Sequence, residues 1–145
     1  MFKFQAMFLI ASFLCGPSAA TEKDKPIKAA DVPREFRGTF EWKDMSAAYD
    51  LILKIEKIAE KDGVIRFSGT HSYTPGEYVM KIEGTIDPKS RRISIFETEV
   101  LAGGGDLDGS FAGTISADLT TLEAMWTSDT SGKGGDLKVK AQKSK

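Results

Sequence analysis

One histidine, His71, is the only side chain here that ordinarily changes charge near neutral pH, so acid–base or metal chemistry would have to be built around it. A zinc site needs several nitrogen or sulfur ligands. With His71 alone and a single cysteine, Cys15, every other ligand would be a carboxylate, and none has the required spacing. Nucleophilic catalysis needs a positioned serine or cysteine beside the imidazole, and no Gly-x-Ser-x-Gly elbow occurs. Glu97 and Glu99 stand two apart; on a strand they share a face about 7 Å apart, a separation that could serve glycoside hydrolysis. A solvated strand face, balanced by Lys81 and Arg92, is the commoner meaning of that spacing. Gly103-Gly-Gly-Asp-Leu-Asp-Gly109 has a passing likeness to calcium loops, but two acids fall short of the oxygens calcium prefers, and a hairpin loop is expected instead. What remains is an aromatic set, Trp42, Tyr49, Tyr73, Tyr78 and Trp126, able either to plug a small barrel or to stack on a ligand. The candidate ligand contacts are Trp42, Tyr49, His71, Tyr73 and Trp126; no catalytic or metal residue and no cofactor is expected.

These residues need elements to carry them, and the chain supplies strands. Apolar residues and glycines occupy every second position in Phe36-Gly38-Phe40-Trp42, Tyr49-Leu51-Leu53-Ile55, Ile65-Phe67-Gly69-His71 and Met80-Ile82-Gly84-Ile86. The period of two continues in Ile93-Ile95-Glu97-Glu99, Leu107-Gly109-Phe111-Gly113-Ile115, Leu122-Ala124-Trp126 and Leu137-Val139. Turn signals separate the runs, among them Asp62-Gly63, Thr74-Pro-Gly76 and Asp87-Pro-Lys-Ser90. The spacing predicts eight antiparallel strands joined by short turns, with no crossover helix. Leu51 to Lys61, LILKIEKIAEK, is the one stretch whose apolar positions would also tolerate a helix; the alternation from Tyr49 and the hairpin signal at Gly63 favour strand. Consecutive hairpins leave edges that closure removes, so the predicted fold is all-β, an antiparallel up-and-down eight-stranded barrel, with a β-sandwich as the alternative.

Residues 1–20 join Lys3, an apolar run and a small-residue end, and read as a signal peptide cleaved after Ala20. The expected location is therefore secreted or periplasmic, with no membrane span once the leader is removed. Cleavage removes Lys3 and Cys15, leaving a formal charge of −2 and no thiol, so the domain is held by its core alone. Such a balance gives no electrostatic reason to bind nucleic acid. Residues 21–35, charged and carrying Pro26 and Pro33, read as a flexible lead-in with a short helical turn at Ala29 and Ala30. The barrel domain is placed at 36–141 and a tail at 142–145; Lys138 and Lys140 read as residues that blunt a sheet edge.

Gly63 to Asp87, GVIRFSGTHSYTPGEYVMKIEGTID, with Leu122 to Gly132, LEAMWTSDTSG, resembles the strand pattern of the avidin family and, more loosely, of the calycin group that includes lipocalins. The resemblance implies an eight-stranded up-and-down barrel holding a small ligand in its open mouth. Trp126 falls where avidins place a tryptophan that packs on the ligand. His71 and Tyr73, however, stand where that pattern has a tyrosine and a serine that bind the ureido oxygen of biotin, and Trp42 replaces an asparagine. Each lost donor would cost roughly 1–3 kcal/mol, so the resemblance carries the fold and not biotin. In the lipocalin comparison Gly38-Thr39-Phe40 has phenylalanine where the first-strand motif has tryptophan. Ser68-Gly69 followed by Tyr73 is also similar, with the spacing off by a residue, to Ser-Gly and Tyr loop elements of bacterial lysozyme inhibitors. The expected function is an exported non-enzymatic binding module with a small apolar or amphipathic ligand in the barrel mouth. A protein partner, such as an enzyme to be inhibited, is the alternative.

Overall fold

Hairpins of alternating residues can bury one face only if the sheet finds a second apolar surface, and here it finds itself. In the computed structural model, which describes residues 25–105 and 107–143, strands β1 (Glu35–Trp42), β2 (Ala48–Lys61), β3 (Val64–Tyr73), β4 (Tyr78–Ile86), β5 (Arg92–Ala102), β6 (Gly109–Ile115), β7 (Thr121–Ser128) and β8 (Gly134–Ala141) follow one another around a closed barrel. Each strand pairs antiparallel with the next, and β8 closes the ring on β1 through pairs such as Phe40 with Leu137. The fold is thus an up-and-down eight-stranded barrel, the architecture of calycins, and the sandwich alternative is excluded by the β1–β8 ladder. The signal-peptide reading falls outside the described residues.

The inward positions are those the alternation selects. Phe36, Phe40, Leu51, Leu53, Ile65, Ile82, Ile95, Phe111, Leu122 and Leu137 are buried in one core. Outward positions such as Arg37, Lys54, Arg66, Lys81, Glu83, Glu123 and Lys138 are exposed and charged. A transmembrane barrel reverses this arrangement and turns its apolar band to lipid. Lys138 and Lys140 blunt no edge, contrary to expectation, because β8 is paired on both sides.

The helix-tolerant stretch is strand throughout, with an irregularity that explains its spacing. Ile55 pairs with Gly69 and Lys57 with Ser68, so Glu56 is an extra residue, a bulge. Beyond it the inward parity changes, and Ile58 rather than Lys57 turns to the core. The three-residue step from Ile55 to Ile58 therefore marks a bulge and not a helix turn. At the hairpin that follows, Asp62 and Gly63 both have positive φ, 55° and 74°, as the Asp-Gly signal required.

A second bulge overturns the pairing of Glu97 with Glu99. Ile82 faces Glu97 and Lys81 faces Glu99, leaving Thr98 unpaired, its hydroxyl donating to the Lys81 carbonyl at 3.3 Å. The extra residue turns the two carboxylates to opposite faces: the Glu97 side chain is 5% exposed inside the barrel, whereas Glu99 is 58% exposed outside and meets Lys81 at 3.4 Å. Glu97 and Glu99 therefore share no face, unlike two residues at that spacing on a regular strand.

One end of the barrel is closed. The described part of the lead-in packs against the body: Ile27 and Val32 are buried in the core, the Ile27 N–H donates to the Pro88 carbonyl and the Ile55 N–H to that of Arg34. A 3₁₀ turn over Ala29–Asp31 joins the two apolar anchors. The two apolar side chains give this charged, proline-bearing segment its contact with the barrel. Leu107 also departs from expectation; it precedes β6 and is exposed. The opposite end carries the β1–β2, β3–β4, β5–β6 and β7–β8 loops and remains open.

Candidate functional site

The open end is lined by aromatic side chains because the top inward position of several strands is aromatic. Trp42 ends β1, Tyr49 is the second residue of β2, Tyr73 ends β3, Tyr78 opens β4 and Trp126 lies near the top of β7. Together with Met80, Glu97 and the β5–β6 and β7–β8 loops they bound a cavity of about 520 Å³. A small molecule fits a space of that size. The two indoles meet edge to face, 5.2 Å between centroids and 79° between planes, and Trp42 also meets Phe40 edge-on at 5.1 Å. Trp126 reaches this position because Gly109 faces it from β6; a Cβ there would overlap the indole ring.

Below the cup the interior turns polar at one point. His71, inward on β3, is buried against Tyr73 (4.8 Å between ring centroids) and Phe111 (5.7 Å). Its Nε2 lies 2.8 Å from Oε1 of Glu97. The short contact is not aligned as a hydrogen bond, so Nε2 is left without a hydrogen-bond partner among the described residues. Glu97 lines the cavity and His71 stands behind it. Burial, and secondarily the Glu97 charge, raise the Tyr73 phenol well above its ordinary pKa, so Tyr73 remains a neutral hydroxyl.

The rim is held by a hydrogen-bonded clasp. Asp108 accepts from the Ser128 hydroxyl at 2.8 Å and the Thr130 hydroxyl at 2.7 Å, tying the β5–β6 loop to the β7–β8 loop. Those two bonds, Thr130 first, hold the carboxyl below its usual range. Asp108 thus has a structural use, unlike the calcium role weighed for its loop; Asp106 falls outside the described residues. Among the described residues no group of three or more His, Cys, Asp or Glu is placed to hold a metal ion. Nor is any helix among them long and apolar enough to cross a membrane.

Of the five ligand-contact candidates, Trp42, Tyr49, Tyr73 and Trp126 line one cavity and His71 lies just beneath it. Glu97, Tyr78, Met80 and Lys133 join them without having been singled out as ligand contacts. Glu97 could have been found: it continues the inward series Ile93-Ile95, and a carboxylate on an apolar face is a signal in its own right. The lysozyme-inhibitor elements are not brought together. Ser68 and Tyr73 lie within β3, an odd number of residues apart, so they point to opposite faces. Ser68 instead joins a groove of about 450 Å³ on the outer wall, beside Lys57, Arg66, Glu83 and Phe96. No protein-family model matches the chain, and no curated protein matches its sequence.

Proposed function

We propose that this chain is an exported, non-enzymatic binding protein that holds a small amphipathic molecule in the mouth of its barrel, in the manner of calycins. The observation that carries the reading is the 520 Å³ cavity, walled by two tryptophans and three tyrosines with a buried carboxylate at its base. A barrel of this strand number has an interior that is either filled or just wide enough for one small ligand, and here it is filled below and open above. The surroundings agree: Met45, Tyr78, Leu101 and Leu107, four of the six exposed large apolar side chains among the described residues, lie at this end of the barrel. Exposed apolar groups gathered at one place mark contact with something other than water. A native mass spectrum of freshly purified mature protein, followed by a thermal-shift screen of aromatic and amphipathic compounds, tests it. A retained small molecule or a stabilising class of compound is expected; a bare mass together with no stabilisation would overturn the reading.

The protein-binding alternative draws on the outer groove, where Phe96 is 52% exposed beside Lys57 and Arg66. Its test is capture by immobilised lysozymes, lost on Ser68→Arg or Phe96→Glu but retained on Trp126→Ala.

A further inference from the structure

We infer that the mouth selects an organic cation, a molecule with an apolar body and a single ammonium group whose nitrogen sits against Glu97 while the body lies between Trp42 and Trp126. The inference rests on the binding reading above and names the chemistry of the occupant.

A carboxylate only 5% exposed in an apolar barrel demands a partner. Among the described residues the group that meets it at 2.8 Å is the His71 imidazole, and that contact is out of line for a hydrogen bond; Tyr73, whose phenol feels the Glu97 charge, also stands nearby. Among the described residues, then, no donor is aimed at the Glu97 carboxylate, although it borders open space large enough for a ligand. A neutral molecule would leave that charge unmatched, and an anion would oppose it. An ammonium would supply both the opposite charge and N–H donors. The walls act in the same direction, because the faces of tryptophan and tyrosine rings attract cations electrostatically and do so most strongly where water is excluded. The remaining charged groups on the lining do not reverse the sign. Asp108 and Lys133 stand at the rim with opposite charges, so among the described lining residues the unbalanced charge is that of Glu97, with the His71 imidazole behind it and outside the lining.

The test is calorimetric titration of the mature full chain with three compounds that share an indole body and differ in the tail: tryptamine, tryptophol and indole-3-propionate. Tryptamine is expected to bind at least tenfold more tightly than tryptophol, and indole-3-propionate more weakly still. Glu97→Gln keeps the side chain's size and removes its charge; it should weaken tryptamine at least tenfold and tryptophol by a smaller factor, so that the preference for the ammonium is lost. Glu99→Gln removes the same charge on the outer face and should alter none of the three. If tryptophol binds as tightly as tryptamine, or if the preference survives Glu97→Gln, the cation assignment is wrong while the binding reading stands. If none of the three binds and the thermal-shift screen finds no stabilising compound, both are wrong. The comparison on the unaltered chain decides the question even if Glu97→Gln fails to fold.

Discussion

Replacing the buried pair by apolar side chains, as His71→Leu with Glu97→Met, should make the protein more stable while removing the charge from its cavity. The two groups are 2% and 5% exposed and 2.8 Å apart. With both charged, their attraction at an effective dielectric constant near 20 is about 6 kcal/mol. Taking two ions out of water costs several kcal/mol each, and the out-of-line contact recovers little of this through hydrogen bonding. With the imidazole neutral, the carboxylate is buried without a counter-charge and the balance is worse. Either state gives the same sign, so the double variant should gain roughly 1–4 kcal/mol. In a domain near 100 residues, each kcal/mol moves the melting temperature by roughly 4–8 °C. His71→Leu alone should instead destabilise, by about 3–5 kcal/mol where the imidazole is charged and by less where it is neutral, because it removes the group that opposes the Glu97 charge. Denaturant titration of both single variants and the double variant closes a mutant cycle that isolates the coupling. A double variant less stable than the parent, or single variants whose effects simply add, would refute the reasoning.

Three further outcomes follow from the mouth and its rim. Gly109→Val should cost about 1–3 kcal/mol and shift the emission of Trp126, because its side chain would occupy the indole's place; thermal melts and fluorescence read both effects. The Tyr73 pKa is raised in the folded state by burial and then by Glu97. Its stability contribution is therefore present below the unfolded tyrosine value near 10 and lost as pH rises beyond it, and Tyr73→Phe should flatten the alkaline limb of a pH–melting curve. Asp108 has the opposite sign. Its pKa is lowered by the Thr130 and Ser128 hydroxyls, so its contribution is present above the ordinary aspartate value near 4 and lost as pH falls through the lower folded value. Asp108→Asn should accordingly show a weaker acid dependence below about pH 4, measured by the same melts.

Period-two alternation was enough to read the barrel, because it places most inward residues from Phe36 to Val139 without knowledge of partners. It failed where the backbone adds a residue. Extra residues at Glu56 and Thr98 shift the parity of β2 and β5, and a bulge leaves no mark in composition that distinguishes it from regular strand. That is why Glu97 and Glu99 looked alike in the sequence, though one is interior and the other pairs with Lys81. The aromatic candidates were legible for a simpler reason: their types are rare in the chain and they fall at strand ends. The contact of His71 with Glu97 was not, since the two lie on β3 and β5 with β4 between, and only closure and inward parity bring them together. The packing of Ile27 and Val32 against the barrel was not legible, because charged residues outnumber apolar ones in that segment.

The chain contains two tryptophans, and both border the mouth, so its two indole N–H resonances report on that cavity alone. Titrating ¹⁵N-labelled protein with the most stabilising compound from the thermal screen therefore tests the central claim directly. Both indole signals should shift with a single dissociation constant while the amides of Arg66, Ser68 and Phe96 stay in place. Shifts confined to those outer-wall amides, with both indole signals unmoved, would contradict the account.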